Sequence, residues 1–371
     1  MKVLLIAENW SPRVGGIENY LSSIVSHLPA GTITVIAPLH PDAAYAAGVF
    51  HKRFFWPLIK PSWWPLWLSI KKLAKREKFD IVLCGKALLE GQLGRRLQKK
   101  LGIPYIIFTY AMEIETWKHQ SLNRRKLLPV LHDANRVVYI NEQTKKSLVD
   151  LGVTEEQLVK IWPGIDDHFL EDVSVDTREA VLKKYGITKP YVFTLSRLIY
   201  RKGTDLLIEA FTSLQATDIQ LVIAGGGPER ENLEIKVKEL GLSKKVHFLG
   251  VVPDEDLPAL FTGAHVFALP PRNDARDMEG FGIVYLQAAA KGVPVVATLV
   301  GGVPEAVIHN QTGILVQPDN VQAIAEALRL LLTDENMRKT FGETAKKRAY
   351  DEFRWSKRIM LVKGMIDAVL H

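Results

Sequence analysis

The segment Leu195-Ser196-Arg197-Leu198-Ile199-Tyr200-Arg201-Lys202-Gly203 places Arg197 and Lys202 in a polar loop between an apolar run and a helix-length stretch. A guanidinium and an ammonium so placed can neutralise a departing diphosphate, a task that a metal ion performs in other sites. The competing reading is solvated surface charge. A second segment runs Arg272-Asn273-Asp274-Ala275-Arg276-Asp277-Met278-Glu279-Gly280-Phe281-Gly282-Ile283-Val284-Tyr285-Leu286-Gln287-Ala288, a polar loop that opens directly into an apolar helix. The backbone N–H groups of residues 280–283 would face an anion there, because a helix start favours negative charge. Glu279 would accept hydrogen bonds from hydroxyl groups beside it.

Two further loops carry weaker signals of the same kind. Ser11-Pro12-Arg13-Val14-Gly15-Gly16-Ile17-Glu18-Asn19 opens a helix on paired glycines, and Gly225-Gly226-Gly227-Pro228 makes a turn after an apolar run. Both suit close backbone approach to phosphate, and both equally suit a turn with no ligand. Asp254-Glu255-Asp256 reads as acidic capping of a helix rather than as a metal site. Asn310-Gln311-Thr312 reads as a plain turn, and the ten histidines show no zinc-ligand spacing.

The elements that must position these loops recur with a steady rhythm. Short runs rich in Val and Ile at 3–7, 33–37, 81–84, 105–109, 137–140 and 158–162, then at 191–196, 220–224, 246–249, 266–269, 295–298 and 314–316, read as parallel strands buried on both faces. Helical segments such as 18–28, 204–213, 230–240 and 321–332 separate them, so two doubly wound α/β sheets are expected. Trp162-Pro163-Gly164-Ile165-Asp166-Asp167 marks the junction. The chain of 371 residues, 47% hydrophobic and 24% charged, is long enough for two cores. In such sheets ligands lie at the carboxyl ends of strands, near the point where strand order reverses.

Cys84 is the only cysteine, which excludes an intrachain disulfide and fits a cytoplasmic protein. The opening residues read as a buried strand rather than a signal peptide, and no run of 18 apolar residues suggests a membrane span. Charge is uneven: residues 51–100 hold thirteen Lys or Arg against three acids. Within this region Trp63, Leu66, Trp67, Ile70, Leu73 and Ala74 recur at helical spacing, with Lys71, Lys72, Lys75 and Lys78 largely elsewhere on the turn. One reading is an amphipathic helix meeting an anionic bilayer through Trp63, Trp67, Lys71, Lys72 and Lys75. The other is that its apolar side covers the first sheet. Nucleic acid is not expected, since no recognised binding fold accompanies the patch.

The loops at 195–203 and 272–288, with Pro294-Val295-Val296-Ala297 and Gly301-Gly302-Val303-Pro304-Glu305, resemble in order the nucleotide-sugar domain of family-four retaining glycosyltransferases. The likeness covers almost the whole chain and is strongest to bacterial phosphatidylinositol alpha-mannosyltransferases. It implies the GT-B fold, two Rossmann-like domains facing a central cleft, divided as 1–168 for the acceptor and 169–354 for the nucleotide sugar. A final helix at 355–371 would cross back to the first domain. By the same resemblance Arg197, Lys202 and Glu279 are the catalytic set. Gly15, Gly16, Gly226, Phe281, Gly282, Ile283, Val284 and Gln287 bind the donor, and Met112 and Glu113 line a sugar pocket. No cofactor or metal is implied. The substrates would be a nucleotide sugar, GDP-mannose first or a UDP-sugar, and a lipid or glycan hydroxyl at the inner face of the cell membrane. Two positions depart from the family pattern: Gln287 stands where a second glutamate is usual, and Met112 where many relatives carry a histidine. These departures motivate a non-catalytic nucleotide-sugar binder as the alternative, and a GT-B-like sugar epimerase is a further one.

Overall fold

The computed structural model describes residues 1–10, 15–40, 48–56, 59, 61–215, 217–274 and 278–371. The motif residues 11–14 and 275–277 lie outside the described residues, as do Pro57, Leu58 and Lys60 of the basic region. The chain divides into two compact units, Met1–Gly164 with Trp355–His371, and Ile165–Arg354.

In the first unit, strands β1 (Val3–Ile6), β2 (Ile33–Pro38), β3 (Val49–Lys52), β4 (Ile81–Cys84), β5 (Tyr105–Phe108), β6 (Arg136–Tyr139) and β7 (Leu158–Lys160) form one sheet. Its order is β3-β2-β1-β4-β5-β6-β7, and every neighbouring pair is parallel. The residues of β1, β4 and β5 are all buried, which is why these strands show as unbroken apolar runs. β3 does not show in this way. Val49-Phe50-His51-Lys52 is a half-buried edge strand with no continuous apolar run. The helix Trp355–Leu370 belongs to this unit and packs on the helix Gly16–His27. Buried Trp355 lies 5.8 Å from the Tyr20 ring and 5.7 Å from His27, and a Cβ on Gly164 would approach its indole to 2.6 Å.

In the second unit, β8 (Tyr191–Leu195), β9 (Gln220–Ala224), β10 (Val246–Gly250), β11 (Val266–Leu269), β12 (Val295–Thr298) and β13 (Gly313–Val316) run in the order β10-β9-β8-β11-β12-β13, again all parallel. Its core joins Leu207, Phe211, Leu221, Ile223, Ala268, Val296, Ile324 and Leu328 across sheet and helices. Strand order reverses between β1 and β4 in one sheet and between β8 and β11 in the other. The crevice beyond the carboxyl ends at each reversal is where a ligand fits this kind of sheet. Among the described residues, no helix is long and apolar enough to cross a membrane.

Candidate functional site

At the reversal point of the second unit, the loop after β8 closes in a short turn, Tyr200–Lys202. Gly203 ends it at φ 65°, and a Cβ there would lie 2.0 Å from the Pro270 carbonyl, so only glycine lets the turn close against the loop after β11. Arg272 fastens the turn from the other side. Its guanidinium bonds the Tyr200 carbonyl at 2.8 Å and both oxygens of Asp205 at 2.7 Å, and sits 4.0 Å over the Tyr200 ring.

Glu279 is 7% exposed and receives two cations on the same oxygen. Arg201 Nη1 donates to Oε2 at 2.9 Å and Lys202 Nζ at 2.5 Å. Burial alone would push this carboxyl up, but Lys202 and Arg201 overcome it and hold the pKa at about 2. Glu279 is therefore a fixed anion at neutral pH. Arg197, in contrast, is exposed. Lys202 and Glu279 are thus brought together, Arg197 stands apart in the same loop, and Arg201 joins the site although no motif had singled it out.

Three residues on from Glu279, Gly282 caps the helix Ile283–Ala290 at φ 85° and ψ 76°, where a Cβ would meet the Tyr285 ring at 2.3 Å. The first amides of that helix, Ile283 and Val284, are half-buried and lack partners one turn back, the usual situation at a helix start. Phe281 is buried beside Phe353, with ring centroids 5.9 Å apart, so it offers backbone rather than side chain. On the same helix the Gln287 Oε1 is a buried acceptor with no hydrogen-bond partner among the described residues. The Gly226 carbonyl accepts the Leu198 N–H at 2.9 Å, which ties the glycine turn to the loop holding Arg197.

In the first unit, Gly15 precedes the helix Gly16–His27, and none of the described residues lies within 4 Å of a Cβ built on Gly16. Around the reversal point between β1 and β4 gather buried acids. Glu90 accepts the Glu8 N–H at 3.0 Å, Glu18 accepts from Asn9 Nδ2 at 2.6 Å, and Glu113 has no side-chain hydrogen-bond partner among the described residues, with only the Ala87 and Tyr110 amides drawing on it. The Tyr110 hydroxyl beside them is also buried and unpartnered. Burial pushes Glu113 up to about 8, against the pull of Lys86, and Glu90 up to about 7. Met112 does not share this environment. It lies one residue from Glu113 in the helix Ala111–Lys118 but is 46% exposed.

The basic aromatic helix, Trp64–Glu77, corrects part of the expected membrane face. Trp67 is 4% exposed and belongs with Leu66, Ile70 and Ala74 to the first unit's core, so the apolar stripe covers the sheet. Trp63 is half-buried beneath Arg96, 4.7 Å from its ring. The exposed aromatic and aliphatic groups are instead Phe55, Trp56, Ile59, Trp64 and Leu68, with Lys72 and Lys75 exposed and Lys71 half-buried. Trp64 and Leu68, four residues apart, share an exposed face of the helix to one side of the buried stripe.

The acidic triplet is engaged elsewhere. Asp256 accepts from Lys184 and the Tyr185 hydroxyl, each at 2.6 Å, and Asp254 lies 3.3 Å from His168.

With this geometry in place, two family descriptions match the chain: "Glycosyl transferases group 1" over residues 177–348 and "Glycosyltransferase Family 4" over residues 14–169. The protein is thus a glycosyltransferase of GT-B architecture. The GDP-mannose-dependent alpha-(1-6)-phosphatidylinositol monomannoside mannosyltransferase of Mycolicibacterium smegmatis is 33% identical over 96% of both chains. The corresponding monoacylated-substrate enzyme of Corynebacterium glutamicum is 29% identical over 97% of this chain and 95% of its own. The chain belongs to the family-four glycosyltransferases. Among solved structures, Anabaena HepE in complex with UDP superposes with a TM-score of 0.85 at 21% identity, covering 99% and 100% of the two chains. That likeness concerns the fold.

Proposed function

We propose that this chain moves a hexose, mannose from GDP-mannose in the first instance, from a nucleoside-diphosphate sugar to a hydroxyl of a lipid or glycan with retention at the anomeric carbon. The observation that carries this reading is the Glu279 carboxylate gripped by Lys202 and Arg201 beside the Gly282 helix start. The names of the mycobacterial and corynebacterial relatives support the choice of donor and of a lipid acceptor.

In the mechanism, Arg197, Lys202 and the helix start stabilise the charge that develops on the leaving diphosphate. Glu279 accepts from the sugar's hydroxyls, and the unpartnered Gln287 Oε1 suits a ribose hydroxyl. The leaving phosphate oxygen takes the acceptor's proton on the face it vacates, so no protein base is required. Two side-chain cations and helix amides do the work that a metal does elsewhere, and transfer proceeds in EDTA.

Mass spectrometry of products formed from GDP-mannose and UDP-sugars with a panel of membrane lipids tests the proposal. A mannosylated lipid formed equally with and without EDTA is expected. Binding of donor with no transfer to any acceptor would make the chain a nucleotide-sugar binder, and an altered sugar formed without acceptor would make it an epimerase. The lipid acceptor gives the exposed Phe55, Trp56, Trp64 and Leu68 beside Lys72 and Lys75 a partner, an anionic bilayer surface. Sedimentation with anionic vesicles should exceed that with neutral ones and fall as salt rises. Trp64→Ala should weaken it, and equal sedimentation with both vesicle types would remove the membrane from the proposal.

A further inference from the structure

Arg201 and Arg197 are four residues apart in one loop, and their environments differ. Arg197 is exposed, whereas the Arg201 side chain is 11% exposed and donates to a carboxylate that is 9% exposed. The backbone on both sides of this contact is fixed. Arg272 N–H donates to the Arg201 carbonyl at 2.8 Å, and the Glu279 carbonyl accepts the Gly302 N–H at 3.0 Å. Both cations bond the same oxygen, Oε2. Two cations on one oxygen is more than is needed to keep a carboxylate charged, and only Lys202 has a second task in the mechanism above.

We propose that Arg201 is a positioning residue for Glu279, holding Oε2 so that Oε1 accepts from the donor sugar at a fixed angle while Lys202 turns from Glu279 to the diphosphate. A guanidinium suits the role because its planar donors hold direction as well as charge, which a single ammonium does not. When Lys202 leaves, Arg201 alone keeps the buried acid ionised; an unpaired carboxylate at that depth would take up a proton. The inference rests on the donor reading, and it separates two arginines that lie four residues apart in one loop. Arg197 serves the phosphate, and Arg201 serves the sugar through Glu279.

The test uses Arg201→Gln and Arg201→Lys in the full chain, with three readouts. The first is affinity for GDP, which carries no sugar; the second is kcat and KM for GDP-mannose transfer; the third is the 13C titration of the Glu279 carboxyl. Arg201→Gln should leave GDP affinity within about twofold and lower kcat/KM by about 10²-fold, the scale of one lost preorganised donor. It should also raise the Glu279 titration from about 2 toward the ordinary carboxylate range. Arg201→Lys should restore the titration and only part of the rate. A loss of GDP affinity as large as the loss of rate would place Arg201 on the diphosphate and overturn the proposal. So would an unmoved Glu279 titration in Arg201→Gln. If Arg201→Gln does not fold, Arg201→Lys carries the test through its split between restored titration and reduced kcat. Failure of the wild type to transfer or to bind GDP would sink the donor reading instead, and the carboxyl titration would still report whether Arg201 governs Glu279.

Discussion

Glu279 in the second unit and Glu113 in the first are buried to nearly the same degree, 7% and 6% exposed, yet they end in opposite protonation states. Glu279 has Lys202 and Arg201 on one oxygen and is held at about 2; Glu113 has no side-chain hydrogen-bond partner among the described residues, feels Lys86 and Glu90 at longer range, and rises to about 8. Burial sets the same penalty on both charges, and paired cations decide which is kept. One unit thus holds a permanent anion between two cations. The other holds Glu90 and Glu113, which burial raises to about 7 and about 8, with the Tyr110 hydroxyl buried among them.

The contrast breaks most severely at Lys202. Lys202→Ala removes one of the two cations on Glu279 and the cation assigned to the diphosphate, so transfer should fall about 10²–10³-fold. Affinity for GDP should fall with it. Arg197→Ala should match the loss in rate while leaving the Glu279 titration alone, since Arg197 does not touch that carboxylate. Steady-state rates and calorimetry of GDP binding decide, and full activity in either variant would remove the diphosphate role.

The next effect is on stability in the first unit. Glu113 has a folded pKa of about 8 against an ordinary 4.5, so the folded state holds a proton that the unfolded chain releases. That stabilisation is complete below about 4.5 and is lost as pH rises through about 8. Glu90, raised to about 7, adds in the same direction. Urea unfolding should therefore show stability declining from pH 5 to pH 9, and Glu113→Gln should flatten that slope. An unchanged slope in the variant would mean that Glu113 is paired after all.

How far this contrast could be read beforehand depends on distance along the chain. Among the described residues twelve of the thirteen strands announce themselves, most plainly β1, β4 and β5, whose burial on both faces requires them to be apolar at every position. β3 escapes because an edge strand ending in His51-Lys52 need not be. Lys202 and Glu279 lie in legible loops, but Arg201 acquires its role only when residues 201 and 279 meet, 78 positions apart. Trp64 and Trp67 show a third limit. Periodicity finds the stripe, but only the docked helix tells which tryptophan it buries.

A smaller effect sharpens the comparison at the glycines that open a helix in each unit. Gly282 sits at φ 85° against the Tyr285 ring, so Gly282→Ala should cost on the order of 1–3 kcal/mol in folding stability. Gly16 has ordinary backbone and open space where a Cβ would stand. Gly16→Ala should therefore stabilise its helix by about 0.5–1 kcal/mol. If donor approaches the Gly16 backbone, its KM should rise in the same variant. Thermal unfolding and donor kinetics read the two effects separately, and a destabilised Gly16→Ala with unchanged KM would make Gly16 a purely structural residue.

The smallest expected effect belongs to Met112, one residue from Glu113 but 46% exposed. A thioether is at best a weak acceptor, whereas a histidine at that place could hydrogen-bond a substrate hydroxyl. If the leaving phosphate is the base, Met112→His adds at most a positioning contact and supplies no essential proton carrier. One such hydrogen bond is worth roughly 0.5–1.5 kcal/mol, or about a two- to twelvefold change in rate. A missing general base would instead restore about 10²–10⁴-fold. Exposure also means that the imidazole gains little by burial and that its absence strains nothing in the fold. Transfer by wild type and Met112→His, with the same donor and acceptor, should therefore differ by about an order of magnitude at most. A wild type that transfers nothing while Met112→His is active would show that proton transfer needs a group at residue 112, and would overturn the mechanism in which the phosphate acts alone.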